Sequence, residues 1–362
     1  MAPSIVVRDV LDREAVRRSV DTALADFLAA KARTATSQPQ LGYLSGLLQD
    51  FMAGGKRIRP LLCATGWYAV GGGEDPRSVF QVAACLEMFH AFALIHDDVM
   101  DNSDTRRGRP TVHRTLAEHS AGRRGEEELE RFAHSAAVLL GDLALTWSDE
   151  LLHEAGLTPV QLGAVLPLLN EMRTELMVGQ FLDLDATGGL TDDIEATLNV
   201  NRYKTAKYTI ERPLHIGAAI AGAGADAMAA FTAFALPLGE AFQLRDDLLG
   251  IYGDPGTTGK SRLDDLRAGK NTTLTALALR GADAAQTARL RSSLGNPLLD
   301  ERGAADVREI FEATGARATV ERMIDERHRQ ALAALEDSPF PFAPDALAAL
   351  EEIAHLATVR NS

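Results

Sequence analysis

Three carboxylates and an imidazole at helical spacing are the residues of this chain best suited to do chemistry. They lie in Glu87-Met88-Phe89-His90-Ala91-Phe92-Ala93-Leu94-Ile95-His96-Asp97-Asp98-Val99-Met100-Asp101. Back to Val79 this stretch is mostly apolar and free of Pro and Gly, which predicts a long buried helix. His90, Asp97 and Asp101 are spaced by seven and four, so they share one face of that helix, and the adjacent Asp98 leans toward the same site. Carboxylates at the end of an apolar helix are unstable unless a cation neutralises them. Hard carboxylate oxygens suit Mg²⁺, which takes one or two carboxylates and fills its other positions with water and phosphate. Asp104-Thr105-Arg106-Arg107-Gly108-Arg109-Pro110 follows, and its arginines place an anion-binding group beside the cation-binding one. The pairing is that of a metal–diphosphate site.

Two further stretches fit the same chemistry. In Gly54-Gly55-Lys56-Arg57-Ile58-Arg59-Pro60 the glycines allow a tight turn and Pro60 suits the first turn of the next helix. Lys56 and Arg59 then sit at a helix N-terminus, where free N–H groups and the dipole also favour an anion. The alternative is a solvated basic turn. Later, Arg245-Asp246-Asp247-Leu248-Leu249-Gly250 puts a second acid pair near the end of a second apolar helix. A loop with Gly256, Gly259 and Lys260 follows, then Asp264-Asp265 and Gly269-Lys270. Its lysines are phosphate partners, and its glycines permit close backbone approach.

The elements that must position these groups are helices. Helical periodicity runs over about 10–32, 41–52, 132–155, 159–185, 199–223 and 226–254, and from about 272 to the end, with breaks at 295–297 and 338–344. Residues 1–10 read as a flexible arm, 11–362 as a single domain, and the charged stretch 118–131 as an exposed connection. No strand series, dinucleotide fingerprint or Walker loop interrupts the pattern, which predicts an all-α protein. The 362 residues can bury a large core. A net charge of −14 argues against nucleic-acid partners. Cys63 and Cys85 are too few for a disulfide framework or a Cys-rich zinc site, so a reduced, cytoplasmic setting is expected. Neither a signal-peptide pattern nor a run of ~20 apolar residues is seen, so no membrane span is expected.

Taken in order, these motifs resemble those of the trans-isoprenyl diphosphate synthases, the polyprenyl synthetase family. The likeness covers roughly 40–275 and rests on Gly54–Pro60, His90 through Gly108, Gly179-Gln180, Lys204-Thr205, Gln243 through Asp247, and Lys260 to Lys270. It implies a large all-α bundle around a deep central cavity, homodimeric, that condenses isopentenyl diphosphate with an allylic diphosphate. Carried over by motif, Asp97, Asp98, Asp101, Asp246 and Asp247 would bind Mg²⁺, three ions in all with the allylic diphosphate. Lys56, Arg59, His90 and Arg107 would bind the isopentenyl diphosphate. Arg106, Lys204, Lys260 and Lys270 would hold the allylic diphosphate, with Thr205 and Gln243 lining the reacting carbons. One departure stands out: Gly250 occupies the place of the second motif's usual third acid, and Asp254, two turns beyond the pair, is the candidate to assist.

The resemblance also speaks to product length. Phe92 precedes Asp97 by five residues, about 7–8 Å along a helix, and Phe89 lies about 12 Å back. A bulky Phe92, a small Ala93 and no insertion within Asp97–Asp101 are similar to short-chain, geranylgeranyl-type enzymes, giving an expected C20 product with C15 next. The alternative is that Phe89 and Phe92 are core aromatics. Three rival functions fit the residues less well. A class I terpene cyclase would use Asn201 and Thr205 at the right spacing, but Thr209 stands where an acid belongs. A non-catalytic partner subunit would be expected to lose the first-motif acids. A zinc hydrolase using His90, His96 and His113 matches no zinc-ligand spacing.

Overall fold

The structure is a computed structural model that describes residues 12–33, 39–73, 75–122, 124–254 and 261–358. The expected arm at 1–10 lies outside these residues. The chain divides into two compact units, Met1–Val165 with Ile216–Gly222, and Leu166–His215 with Ala223–Ser362. The expectation of an all-α protein holds among the described residues: the one sheet is a hairpin of two two-residue strands.

In the first unit α1 (Arg13–Arg33), α2 (Pro39–Met52) and α3 (Ile58–Ala69) precede α4 (Arg77–Met100). Helix α4 is the centre, packed on α1, α3 and α6 (Glu126–His153), and its Val82, Leu86, Met88, Phe89 and Ile95 are all at most 1% exposed. Past Asp101 the chain turns through Asn102, whose φ of 49° is left-handed. It then forms a hairpin of β1 (Thr105–Arg106) and β2 (Arg109–Pro110), with Arg106 opposite Arg109. The two loop residues, Arg107 (φ 53°) and Gly108 (φ 72°), both take positive φ, as a type I′ turn requires. A short α5 (Val112–Ser120) follows.

The expected exposed connection at 118–131 is much shorter. Helix α6 already starts at Glu126, because Glu126, Glu127 and Glu128 suit the positive end of its dipole. Charge alone reads as loop there, but charge of this sign belongs in a first helical turn.

The basic turn 54–60 is fixed from within. Gly54 and Gly55 adopt φ of 79° and 90°, and Arg57, at 49°, caps α3. The Arg57 guanidinium is buried and donates to Asp21 of α1 (2.8 Å), Glu87 of α4 (2.7 Å) and the Met52 carbonyl (2.8 Å). A left-handed non-Gly residue is costly, and these charge-assisted bonds offset that cost.

The second unit holds most of α7 (Pro159–Ala186), then α8 (Ile194–Asn201), a π-helical segment (Arg202–Glu211) and the start of α9 (Arg212–Ile220). Next come α10 (Ala225–Tyr252), α11 (Asp264–Ala268), α12 (Thr273–Gly281), α13 (Ala284–Ser293), α14 (Glu301–Ala313), α15 (Ala316–Glu336) and α16 (Pro344–Thr358). Helix α10 is this unit's core element, packed on the π-helical segment and α15. The continuous helix expected at 199–223 is thus three segments. Two glycines admit the wide π turns: a Cβ at Gly179 would lie 2.4 Å from the Lys204 backbone N, and one at Gly239 2.4 Å from Ala206 Cα.

Among the described residues two helices, α4 and α10, are long and apolar enough to cross a membrane, but 72% and 61% of their apolar windows are buried within the fold. That is the behaviour of core helices.

Replacing Arg57 with Met should leave Glu87 buried without its partner and lower unfolding free energy by about 3 kcal/mol. Denaturant melts of the variant measure this, and an unchanged midpoint would mean that the turn is held by something else.

Candidate active site

At the end of α4 the acids do not act alike. Asp98, 1% exposed, receives Arg106 Nε on both oxygens (2.8 and 2.9 Å), while Arg106 Nη2 lies 2.7 Å from Asp98 Oδ1 and 3.1 Å from Asp97 Oδ2. Burial disfavours the Arg106 charge, but Asp98, then Asp97 and Asp101, outweigh it and hold its pKa up. The Asp98 carboxylate, expected to lean toward the neighbouring acids, is turned onto Arg106. Asp97 meets Arg106 through one oxygen and is more exposed, at 18% for the side chain.

The anion set gathers on the same unit. His90 is held well below its ordinary pKa by burial and by Arg59, Arg107, Arg106 and Arg57, in that order. It is neutral at pH 7 and able to donate a hydrogen bond without adding charge. Arg107 is likewise lowered, by burial and by Arg106, Arg57 and Arg59 against Glu87. The hairpin turn lays the Arg107 guanidinium across Gly55, where a Cβ would be 3.1 Å from Nη1. Lys56 is exposed beside it. Positive charges crowded around a neutral imidazole make a site for an anion.

In the second unit the π-helical segment and α10 bring Thr205, Gln243 and Asp247 into one chain of hydrogen bonds. Thr205 Oγ1 donates to Gln243 Oε1 (2.6 Å), and Gln243 Nε2 donates to Asp247 Oδ1 (2.7 Å). Lys204 Nζ donates to Asp183 Oδ2 (2.6 Å). Lys207 and Arg212 share Glu175, with Arg212 Nε 2.8 Å from Glu175 Oε2, which anchors the far side of the segment. Asp247 Oδ2 is buried and has no hydrogen-bond partner. Burial pushes the Asp247 carboxyl up to about 7; Gln243 and Lys270 oppose this, and the charges of Asp265 and Asp246 add to it. Asp246 is exposed on the same turn. Lys270 Nζ lies 3.6 Å from Asp265 Oδ1. Lys260 lies outside the described residues.

These donors fit Mg²⁺. A carboxylate oxygen that is buried and unpartnered among other carboxylates calls for a hard cation. Among the described residues no three His, Cys, Asp or Glu side chains are already gathered to hold a metal.

The histidines do not converge. His96 Nε2 bonds to the Val138 carbonyl (3.0 Å), and His113 Nδ1 lies 3.3 Å from Thr111 Oγ1. Thr205 and Thr209 lie in π-helical turns, whose i→i+5 bonding breaks the four-residue register a cyclase motif needs. Of the chain-length candidates, Phe89 is fully buried and Phe92 is 7% exposed, with ring centroids 5.3 Å apart; Ala93 is half-buried. Phe92 also meets the His96 ring edge-on at 4.7 Å. His96 in turn fits over Gly141, where a Cβ would come within 2.3 Å of the ring.

Sequence reasoning passed over Arg57, whose left-handed cap and buried bonds leave no signature in a basic run, and the reason for Gly179. Its role is space for the Lys204 backbone. Gly179→Ala should shift Lys204 and Thr205 and lower kcat about 100-fold with a much smaller change in thermal stability. Steady-state kinetics beside a melting curve check this, and wild-type kcat would contradict it.

The family model described as polyprenyl synthetase matches residues 42–314. A geranylfarnesyl diphosphate synthase of Aeropyrum pernix is 35% identical over 240 residues, 66% of this chain and 71% of the relative. A farnesyl diphosphate synthase of Geobacillus stearothermophilus is 33% identical over 273 residues, 74% and 83% of the two chains. The crystal structure of a geranylgeranyl pyrophosphate synthase from Corynebacterium glutamicum, complexed with isoprenyl diphosphate and magnesium, superposes with a TM-score of 0.91. It is 38% identical and covers 96% of this chain and 99% of its own. This chain belongs to the polyprenyl synthetase family.

Proposed function

We propose that this protein is a Mg²⁺-dependent trans-prenyltransferase that joins isopentenyl diphosphate head-to-tail to an allylic diphosphate and releases diphosphate. The observation that carries this is the pairing, within one unit, of an acid set at the end of α4 with an arginine cluster around a neutral His90. An enzyme that uses two diphosphates, one through metal and one through cationic side chains, needs both.

The residues divide the work. Lys56, Arg59, His90 and Arg107 hold the diphosphate of isopentenyl diphosphate. Asp97 and Asp101, and in the second unit Asp246 and Asp247, would hold the ions, three being the proposed number. Bound there, Mg²⁺ supplies stabilisation of the charge that develops on the departing diphosphate. Arg106, Lys204, Lys260 and Lys270 bind that same allylic diphosphate, and Asp98 acts by fixing Arg106. The allylic C–O bond breaks with its electron pair leaving on diphosphate. The double bond of isopentenyl diphosphate attacks the resulting cation, and the proton next to the new bond is lost to the departed diphosphate. Thr205 and Gln243, tied to Asp247, line the reacting carbons, and apolar walls keep water from the cation.

The product is proposed to be short, C20 with C15 next, on the support of a buried Phe92 braced by Phe89 and His96. A homodimer is proposed: large apolar side chains stand exposed on α6 (Leu139, 68%) and on α7 (Phe181, 66%). A cytoplasmic location is proposed on the two buried free cysteines.

The test is incubation of the purified protein with Mg²⁺, isopentenyl diphosphate and each allylic starter, with products dephosphorylated and sized by mass spectrometry. A linear C15 or C20 alcohol is expected. A cyclic hydrocarbon formed without isopentenyl diphosphate would overturn the reading in favour of a cyclase. Phe92→Ala should lengthen the product by at least one five-carbon unit; an unchanged length would contradict Phe92 as the floor.

A further inference from the structure

Three cations of the π-helical segment and its exit, Arg202, Lys207 and Arg212, recur at intervals of five. In an α-helix five residues turn through about 500°, so side chains i and i+5 point about 140° apart. In a π-helix the i→i+5 hydrogen bond stacks residue i+5 over residue i. The Arg212 backbone N–H donates to the Lys207 carbonyl in this way. The side chains follow the backbone. Lys207 Nζ and Arg212 Nη2 meet on one atom, Glu175 Oε1, the latter at 2.7 Å, while Arg212 Nε donates to Glu175 Oε2 (2.8 Å).

Glu175 is 7% exposed and Arg212 6%. Burial disfavours the Glu175 carboxylate, but the hydrogen bonds and charges of Arg212 and Lys207 outweigh it and hold its pKa below the ordinary value. Glu171, one turn back on α7, adds a second carboxylate 2.8 Å from Arg212 Nη2. At the start of the segment Arg202 donates from Nε (3.1 Å) and Nη2 (2.7 Å) to Glu240 Oε1, and Glu240 is buried. Glu175 and Gly179 stand four residues apart, on one face of α7. That face therefore meets the segment twice, at the Lys204 backbone over Gly179 and at the paired cations on Glu175. In an α-helical register Lys207 and Arg212 would point apart, one of them would lose the buried carboxylate, and Lys204 and Thr205 would turn with the backbone.

We propose that Glu175 is a positioning residue for the reaction: it holds Arg202–Glu211 in π-helical register and through that register sets Lys204 and Thr205 on the allylic substrate. This rests on the reading that Lys204 and Thr205 serve that substrate.

The test is Glu175→Gln combined with Lys207→Met, which removes one charge of each sign and leaves Arg212 paired with Glu171. Steady-state kinetics of the full chain with Mg²⁺, isopentenyl diphosphate and geranyl diphosphate, beside a melting curve, give the readout. In the double variant kcat should fall about 30-fold and KM for geranyl diphosphate rise about tenfold, with KM for isopentenyl diphosphate within about twofold of wild type. Lys207→Met alone keeps Arg212 on Glu175, and with it the fold; it should show the same split with kcat about fivefold down. Wild-type kinetics in both variants would overturn the proposal. So would a lowered Tm with both KM values unchanged, or an equal rise in both, because a merely stabilising Glu175 has no preference between substrates. Lys204→Ala separates the two levels. If it raises KM for geranyl diphosphate while the Glu175 variant does not, only the role of Glu175 falls; if Lys204→Ala does not, the allylic reading of Lys204 falls and the proposal with it.

Discussion

The Asp98–Arg106 ion pair is the interaction on which the rest of the first-unit site depends. It is almost completely buried on the acid side and made through two nitrogens to two oxygens. Breaking such a pair leaves a charge in low dielectric, so its geometry is strongly enforced. With Arg106 fixed, the hairpin has one orientation, and its two-residue turn must set Arg107 across Gly55. The pair therefore sets the position of the first anion-binding arginine beside the acids.

A wider electrostatic constraint runs through the molecule. Asp97, Asp98 and Asp101 stand at the C-terminal end of α4, and Asp246 and Asp247 lie in the last two turns of α10. Helix C-termini carry partial negative charge, so acids are misplaced there unless cations offset them. Conversely, Arg57 and Arg59 sit at the N-terminal, positive end of α3, near the other arginines that depress His90. Arg57 is satisfied by Asp21 and Glu87 within the fold. Charges of both signs thus stand at the unfavourable ends of their helices, an arrangement that suits the proposed binding of cations at one set and anions at the other.

Much of this is legible in the sequence because it depends on spacing. The seven-and-four pattern of His90, Asp97 and Asp101 needs only a continuous helix, and α4 is one. The adjacent-acid pair at 246–247 is legible for the same reason. What was not legible depends on contacts between distant segments. Asp98 is chemically identical to Asp97 in the sequence, and only the returning hairpin distinguishes them. The π-helical turns at 202–211 need glycines at 179 and 239, more than twenty residues away on either side. The charged run at 126–131 misleads because composition alone does not separate a loop from a helix start.

The division into a cation-mediated site and a directly cationic site is the central claim, and calorimetry tests it most directly. Isopentenyl diphosphate and a non-reactive thiolo analogue of an allylic diphosphate would each be titrated with and without Mg²⁺. The account requires that the allylic analogue bind only with Mg²⁺, and that isopentenyl diphosphate bind in its absence through Lys56, Arg59, His90 and Arg107. Equal dependence of both ligands on Mg²⁺, or of neither, would contradict it.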